Sequence, residues 1–520
     1  MEQRQRCVGL INEFMSVTPT KLPIHQRGVA VLLLVVTLLL GAAAIFYGLS
    51  TATPPQIERD RKTAQALLIA KAALLSYAVS VNISTTSTNS LRLGDLPCPD
   101  NTDSGSANTA GCGNSAGTTG QTSRIGRLPW KDLGLEDLRD GDGERLWYAV
   151  SNNFKEFTRT ACNATFPTTC LNSDTRGTIT IRDNAGNIIH DAINTDPSAS
   201  GVIAVVFSPG AMLTRQDGVQ QSRGCGGDGT CATTGVCSNT ATPRCNPVNY
   251  LDTSGTEDNA NFSDVSAAPS QNGFIQGIVR DASGKVIVND KLAVITYKEL
   301  MPMLEKRVVA EVVNCLKLYA GANNGRYPWA VPVSDITSPH IDIVNTVFGR
   351  IPDNSLAQTP YGVATPTPPL IDACAATPNM CMSPKWFSSS PGVAGCLLPN
   401  TPSGTSWWNN WRQHVFYGVA DAYKPLISFT QPTPTTVVLG GIPTPSGCPS
   451  CLTITPNATA DKQFVVIPAG KRLASQSRTT TAEKRNVTNY LEDENNNNDS
   501  IFAKKTSSST FNDIVSSVPP

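Results

Sequence analysis

The sequence predicts an α+β protein in which one long N-terminal helix, membrane-spanning in its first half and amphipathic in its second, carries two tandem heads of short strands with disulfide-stapled loop insertions. Three observations lead there. An uncharged apolar run, Gly28–Ser50, stands alone in the chain; at about 1.5 Å of rise per residue it is long enough to cross a hydrocarbon core of about 30 Å. Apolar residues then recur every three to four positions from Ile57 to Val81, including Ala64, Leu67, Leu68, Ala70, Leu74, Leu75 and Ala78, the period of a helix with one buried face. Beyond it, one pattern of short motifs occurs twice in the same order.

The elements follow in order. Residues 1–28 form a short leader, residues 29–50 the membrane helix, residues 51–298 the first head and residues 299–520 the second. Pro54-Pro55 interrupts the helix between its two halves, and Lys298-Glu-Leu-Met-Pro302 reads as the linker into a second amphipathic helix, Tyr297 to Leu318. With 520 residues, only 16% charged, and 40 Gly and 37 Pro, the body is built for short strands and loops. Lys+Arg and Asp+Glu number 41 each, which argues against nucleic acid as a partner.

Cysteine usage places the body. Of 15 cysteines only Cys7 precedes the apolar run. Cys98, Cys112, Cys162, Cys170, Cys225, Cys231, Cys237, Cys245, Cys374, Cys381, Cys396, Cys448 and Cys451 lie in loop-like sequence and are disulfide candidates, pointing to an oxidising compartment with the N-terminus on the cytoplasmic side. Cys448-Pro-Ser-Cys451 has the spacing of a redox pair but no βαβ context, so it reads as structural.

The duplication rests on six ordered matches. Leu74 to Asn82 pairs with Leu316 to Asn324, Gly126-Arg-Leu-Pro129 with Gly349-Arg-Ile-Pro352, and Leu146 to Phe154 with Val415 to Tyr423. Val202 to Gly210 pairs with Phe464 to Gly470, Gln221-Ser-Arg223 with Gln476-Ser-Arg478, and Asn249-Tyr-Leu-Asp252 with Asn489-Tyr-Leu-Glu492. The copies differ by insertions. Copy one adds Gly224–Asn246, and copy two adds a stretch between Pro352 and Trp411 carrying Trp386, Trp407, Trp408 and Trp411. Those tryptophans read equally as surface anchors for a partner or as the filling of a small subcore.

Gln26-Arg27-Gly28 directly before the apolar run resembles the cleavage site of type IV prepilins and type II secretion pseudopilins. The resemblance implies that a prepilin peptidase cuts after Gly28, that Val29 becomes the methylated N-terminus, and that the helix packs against other pilin-like subunits in a filament. It also implies pilin-like antiparallel-sheet heads. The fifth mature residue is Leu33 where most of the family has Glu. The missing acid is similar to that of large minor subunits at a filament tip, since no carboxylate is present to pair with a neighbour's amine in the apolar bundle.

No catalytic set emerges. The four histidines, His25, His190, His340 and His414, form no HExxH or i, i+4 pair. Gly113-Asn-Ser-Ala-Gly117 matches a nucleophile elbow without the strand and helix such an elbow needs. Asp140-Gly-Asp142-Gly-Glu144 alternates three carboxylates with glycine, which can converge on calcium, and heads of the resembled family often bind calcium nearby. No cofactor is required by the reading. The expectation is a non-enzymatic minor pilin- or pseudopilin-like subunit of the inner membrane with its body in the periplasm, contacting other subunits and secreted cargo or a surface. The alternative is a single-span, envelope-anchored, adhesin-like binding protein that never enters a filament.

Overall fold

The chain divides into two compact units, Met1–Thr53 and Pro54–Pro520. The computed structural model describes residues 54–81, 83, 92–107, 125–156, 162, 170–223, 246–260, 273–322, 325–336, 340, 343, 346–353, 396, 407–424, 447–448, 450–497 and 499–519. All belong to the second unit. The leader, the membrane helix at 29–50, the Gly28/Val29 processing site and Leu33 lie outside the described residues.

The first half opens with helix α1 (Pro54–Ser80). Its two prolines occupy the first turn, where a missing N–H costs nothing. The strands of this half are β1 (Ile125–Arg127), β2 (Trp147–Val150), β3 (Thr180–Arg182), β4 (Ile188–His190) and β5 (Ala204–Ser208). Then come β6 (Thr253–Ser254), β7 (Glu257–Asp258), β8 (Gly273–Ile275), β9 (Val279–Arg280), β10 (Val286–Val288) and β11 (Lys291–Ile295). The second half runs through helix α2 (Tyr297–Ala322), β12 (Phe348–Arg350), helix α3 (Trp407–Trp411), β13 (Val415–Val419), β14 (Leu452–Thr455) and β15 (Asn457–Lys462). It ends with β16 (Phe464–Pro468), the short helix α4 (Thr481–Lys484), β17 (Ile501–Ala503) and β18 (Ser516–Val518).

The two halves have the same topology. Antiparallel sheet β1-β2-β5-β11 answers to β12-β13-β16-β18, and the three-stranded β4-β3-β8 to β15-β14-β17. Register matches residue for residue: Tyr148 faces Gly126 and Val206, as Tyr417 faces Gly349 and Val466. The expectation of purely antiparallel heads needs one correction. In each small sheet one pair, β3 with β8 and β14 with β17, is parallel. The shared Gly-Arg motif has a steric cause, because a Cβ at Gly126 would lie 2.7 Å from the Asp100 carbonyl oxygen and one at Gly349 would collide with that of Val331.

Each half is layered, with the four-stranded sheet buried on both faces. Tyr148, Val150 and Val206, like Tyr417, Val419 and Val466, join one continuous core with α1 and α2. The opposite faces, Trp147 and Phe207 in one half and Phe416 and Ile467 in the other, pack on the three-stranded sheets as two separate cores. Burial on both faces explains why the central strands β2, β5, β13 and β16 read as unbroken apolar runs.

Among the described residues one helix, Gln56–Ser80, is long and apolar enough by length and composition to cross a membrane. Its inward stripe, Leu67, Ala70, Leu74 and Ala78, is buried in the core shared with α2. The expected linker at 298–302 is also corrected. Strand β11 passes into α2 through Thr296 alone, and the Glu299 carboxylate accepts from the Thr296 N–H (3.0 Å) and hydroxyl (2.9 Å).

Candidate functional site

The acidic turn is bound inward. Asp140 is fully buried, and its Oδ1 accepts from the N–H groups of Asp142 (3.0 Å) and Glu144 (2.9 Å). Its Oδ2 accepts from the Ser208 hydroxyl (2.7 Å) and the Gly210 N–H (3.3 Å). Asp142 faces Arg59 at 3.4 Å and Glu144 faces Arg223 at 3.6 Å. Each of the three carboxylates expected to gather calcium, Asp140, Asp142 and Glu144, has a partner of its own, and among the described residues no three His, Cys, Asp or Glu side chains form a metal-holding group. Asp140→Ala should remove acceptors from several buried donors and cost about 2 kcal/mol, equally with and without calcium in a thermal-unfolding series.

The cysteines pair as Cys162–Cys170, Cys315–Cys396 and Cys448–Cys451, and Cys98 is disulfide-bonded as well. Cys315, which is not among the disulfide candidates above, tethers α2 to Cys396. Cys112, Cys225, Cys231, Cys237, Cys245, Cys374 and Cys381, with Gly113–Gly117 and Trp386, lie outside the described residues. Trp407, Trp408 and Trp411 form α3 and are buried to 1% exposure or less, so they are core and not a surface anchor.

Four of the duplicated motifs meet in one cluster per half. The Arg127 guanidinium lies 4.2 Å from the Trp147 ring centre and 4.0 Å from that of Tyr250, and Arg350 lies 5.4 Å from Phe416 and 5.3 Å from Tyr490. A second arginine approaches the same tyrosine, Arg223 at 5.2 Å and Arg478 at 4.6 Å. Arg223 also donates to the carbonyls of Pro209 and Tyr250, as Arg478 does to those of Gly470 and Tyr490. Gln221 Nε2 donates to Asp252 and Gln476 Nε2 to Glu492, both at 2.8 Å. These arginines stack on rings and hold loop carbonyls, which fixes the loops over the sheet.

The halves meet at a polar seam. In the first half Arg223 has an acid from its own turn, Glu144. Among the described residues of the second half no such turn faces Arg478, and Asp174 of the first half supplies the acid. Asp174 accepts from Arg478 Nη1 (3.2 Å) and the Arg472 N–H (2.8 Å), and its Oδ2 lies 3.3 Å from His414 Nε2. Nearby, the Ser173 hydroxyl donates to the Ala469 carbonyl (2.8 Å), the Tyr297 hydroxyl donates to the Ser173 carbonyl (2.7 Å), and the Asn410 side chain accepts from the Leu171 N–H (2.8 Å). Burial works to raise the Asp174 carboxyl, but Arg478, His414 and the Arg472 N–H outweigh it and hold it well below the usual range. Burial pushes Glu305, beneath this seam on α2, up to about 8, and burial lowers His414 despite Asp174.

The only imidazole–carboxylate contact among the described residues, His414 with Asp174, is enclosed between the halves. His414 Nδ1 has no hydrogen-bond partner and the Ser173 hydroxyl is committed to a carbonyl, so the pair lacks the nucleophile a relay requires. What this arrangement does is lock one half onto the other. No protein-family model, curated protein or solved structure matches this chain.

Proposed function

We propose that this chain is a non-enzymatic minor pilin- or pseudopilin-like subunit, anchored by a single span in the inner membrane and placed at the tip of a type II secretion pseudopilus or type IV pilus. The observation that carries the reading is the order Arg27-Gly28, apolar run, helix: the run is followed within a few residues by α1, which lies along a four-stranded antiparallel sheet. A helix of that kind leading into a sheet-backed head suits a subunit that packs by its N-terminus and displays its body. The disulfides fit a body in the periplasm. Leu33 in place of an acid fits a terminal position, and the buried tryptophans and fused halves suit a rigid cap contacting cargo or a surface through its loops. Mass spectrometry of the mature protein tests it. N-methylated Val29 is the expected N-terminus, whereas an intact leader, or a cut near Ala44, would favour the plain envelope anchor.

A further inference from the structure

Each half buries two carboxyl groups side by side, at positions the duplication makes equivalent. In the first, Asp252 accepts from Gln221 Nε2 and the Asn289 N–H, both at 2.8 Å, and its own N–H donates to Asp290 Oδ2 at 2.8 Å. Asn259 Nδ2 donates to that same oxygen at 2.9 Å. In the second, Glu492 accepts from Gln476 Nε2 (2.8 Å) and the Asn512 N–H (3.0 Å), its N–H donates to Asp513 Oδ2 (2.9 Å), and Asn495 Nδ2 donates there too (3.0 Å). The pattern survives the exchange of Asp252 for Glu492 atom by atom.

In both halves one oxygen is left over. Asp290 Oδ1 and Asp513 Oδ1 are buried without a hydrogen-bond partner, in side chains 1% and 5% exposed. Each lies beside a second carboxyl whose oxygens already hold their donors. In the first half the facing cation, Arg223, draws on both Asp252 and Asp290 but does not outweigh their burial and is shared with Glu144 and loop carbonyls, and in the second Arg478 is paired with Asp174. A buried carboxylate oxygen is costly unless it is satisfied. The group missing from both surroundings is a hydrogen-bond donor.

We propose that each half retains one proton between its paired carboxyls, Asp290 with Asp252 and Asp513 with Glu492, as a latch that holds the Tyr-Leu-acid segment to the loop delivering the last sheet strand. The pair carries one negative charge, one carboxyl donating to the other carboxylate. Deprotonation leaves two adjacent buried anions and releases β11 or β18 at its entrance. The electrostatics agree. Burial, together with the neighbouring carboxylate, raises Asp290 and Asp513 well above the ordinary range, and burial pushes Asp252 up to about 6. With folded values raised, the native state holds more protons than the unfolded chain. The stabilisation is therefore complete below the ordinary carboxylate range and is lost as pH climbs through and beyond about 6.

The test uses the full-length chain in detergent, with Asp290→Asn, Asp513→Asn and the double variant, in which the amide replaces the protonated carboxyl as donor. Thermal unfolding is followed from about pH 5 to about pH 9. The wild-type midpoint should fall across this range, each single variant should flatten the fall, and the double variant should flatten it most. Infrared spectra at neutral pH should show a protonated-carboxyl band that loses intensity with each substitution. Parallel midpoint curves would overturn the latch. So would the absence of any protonated-carboxyl band in the wild-type protein, which needs no variant to fold.

Discussion

Trp408→Ala is expected to lower stability by about 4 kcal/mol, read as a drop in the denaturant midpoint at unchanged slope. The ring is 1% exposed and packs edge-on to Trp407, with centroids 5.7 Å apart. Its Nε1 donates to Asp353 Oδ2 at 3.0 Å, where Arg412 (3.1 Å) also binds, while the His340 N–H reaches Asp353 Oδ1 (2.7 Å). Truncation removes the ring's dispersion contacts, leaves a cavity and strips a donor from a carboxyl that burial already raises. Trp408→Phe keeps most of the volume and loses only the N–H, so about 1–2 kcal/mol is expected. A tryptophan displayed for a partner would show neither loss. A change below about 0.5 kcal/mol for the alanine variant, the range of ordinary surface substitutions, would contradict the burial.

The tryptophans illustrate what a sequence does and does not encode. Trp407 and Trp411 stand one helical turn apart, a signal of a shared face, but a surface anchor and a core filler have the same spacing. The motifs that pair in the four-stranded sheets were legible as repeats because Gly126-Arg127 and Gly349-Arg350, and Trp147-Tyr148 and Phe416-Tyr417, are constrained by close backbone approach and two-sided burial. The small sheets were not, since Thr180–Arg182 and Ile188–His190 are too short to carry a period, and nothing local specifies a parallel partner some 90 residues away in sequence. The Gln-Ser-Arg and Tyr-Leu-acid motifs were visible as landmarks of duplication. That they converge on one tyrosine is a fact of tertiary structure, which spacing alone does not contain. The acidic turn at Asp140 was ambiguous for a related reason: alternate carboxylates can gather a cation or hydrogen-bond their own backbone, and only the fold shows Asp140 holding the N–H groups of its own turn and the Ser208 hydroxyl.

Asp174 had no sequence signal, because the acid that does the same work for Arg223, Glu144, is a different residue in a different loop of the same half. Asp174→Ala is expected to cost about 3 kcal/mol, since it leaves the buried Arg478 guanidinium without its counter-ion and the Arg472 N–H without its acceptor. The carboxylate is 24% exposed, which keeps the figure at the low end for a buried pair. Asp196→Ala, breaking the more exposed pair with Lys471 at 2.8 Å in the same seam, should cost no more than about 1 kcal/mol. The acid limb separates the two roles further. Because the folded-state Asp174 carboxyl is held below the usual range, its contribution is present above that range and is lost as pH falls through it. Asp174→Asn should therefore remove part of the wild-type loss of stability on acidification while leaving the alkaline side unchanged. If the two halves were independent bodies touching by chance, neither Asp174 variant would move the unfolding of the second half. Because the second half takes its acid from the first, both halves should unfold in one transition in the wild type, and Asp174→Ala should be the substitution that begins to split it.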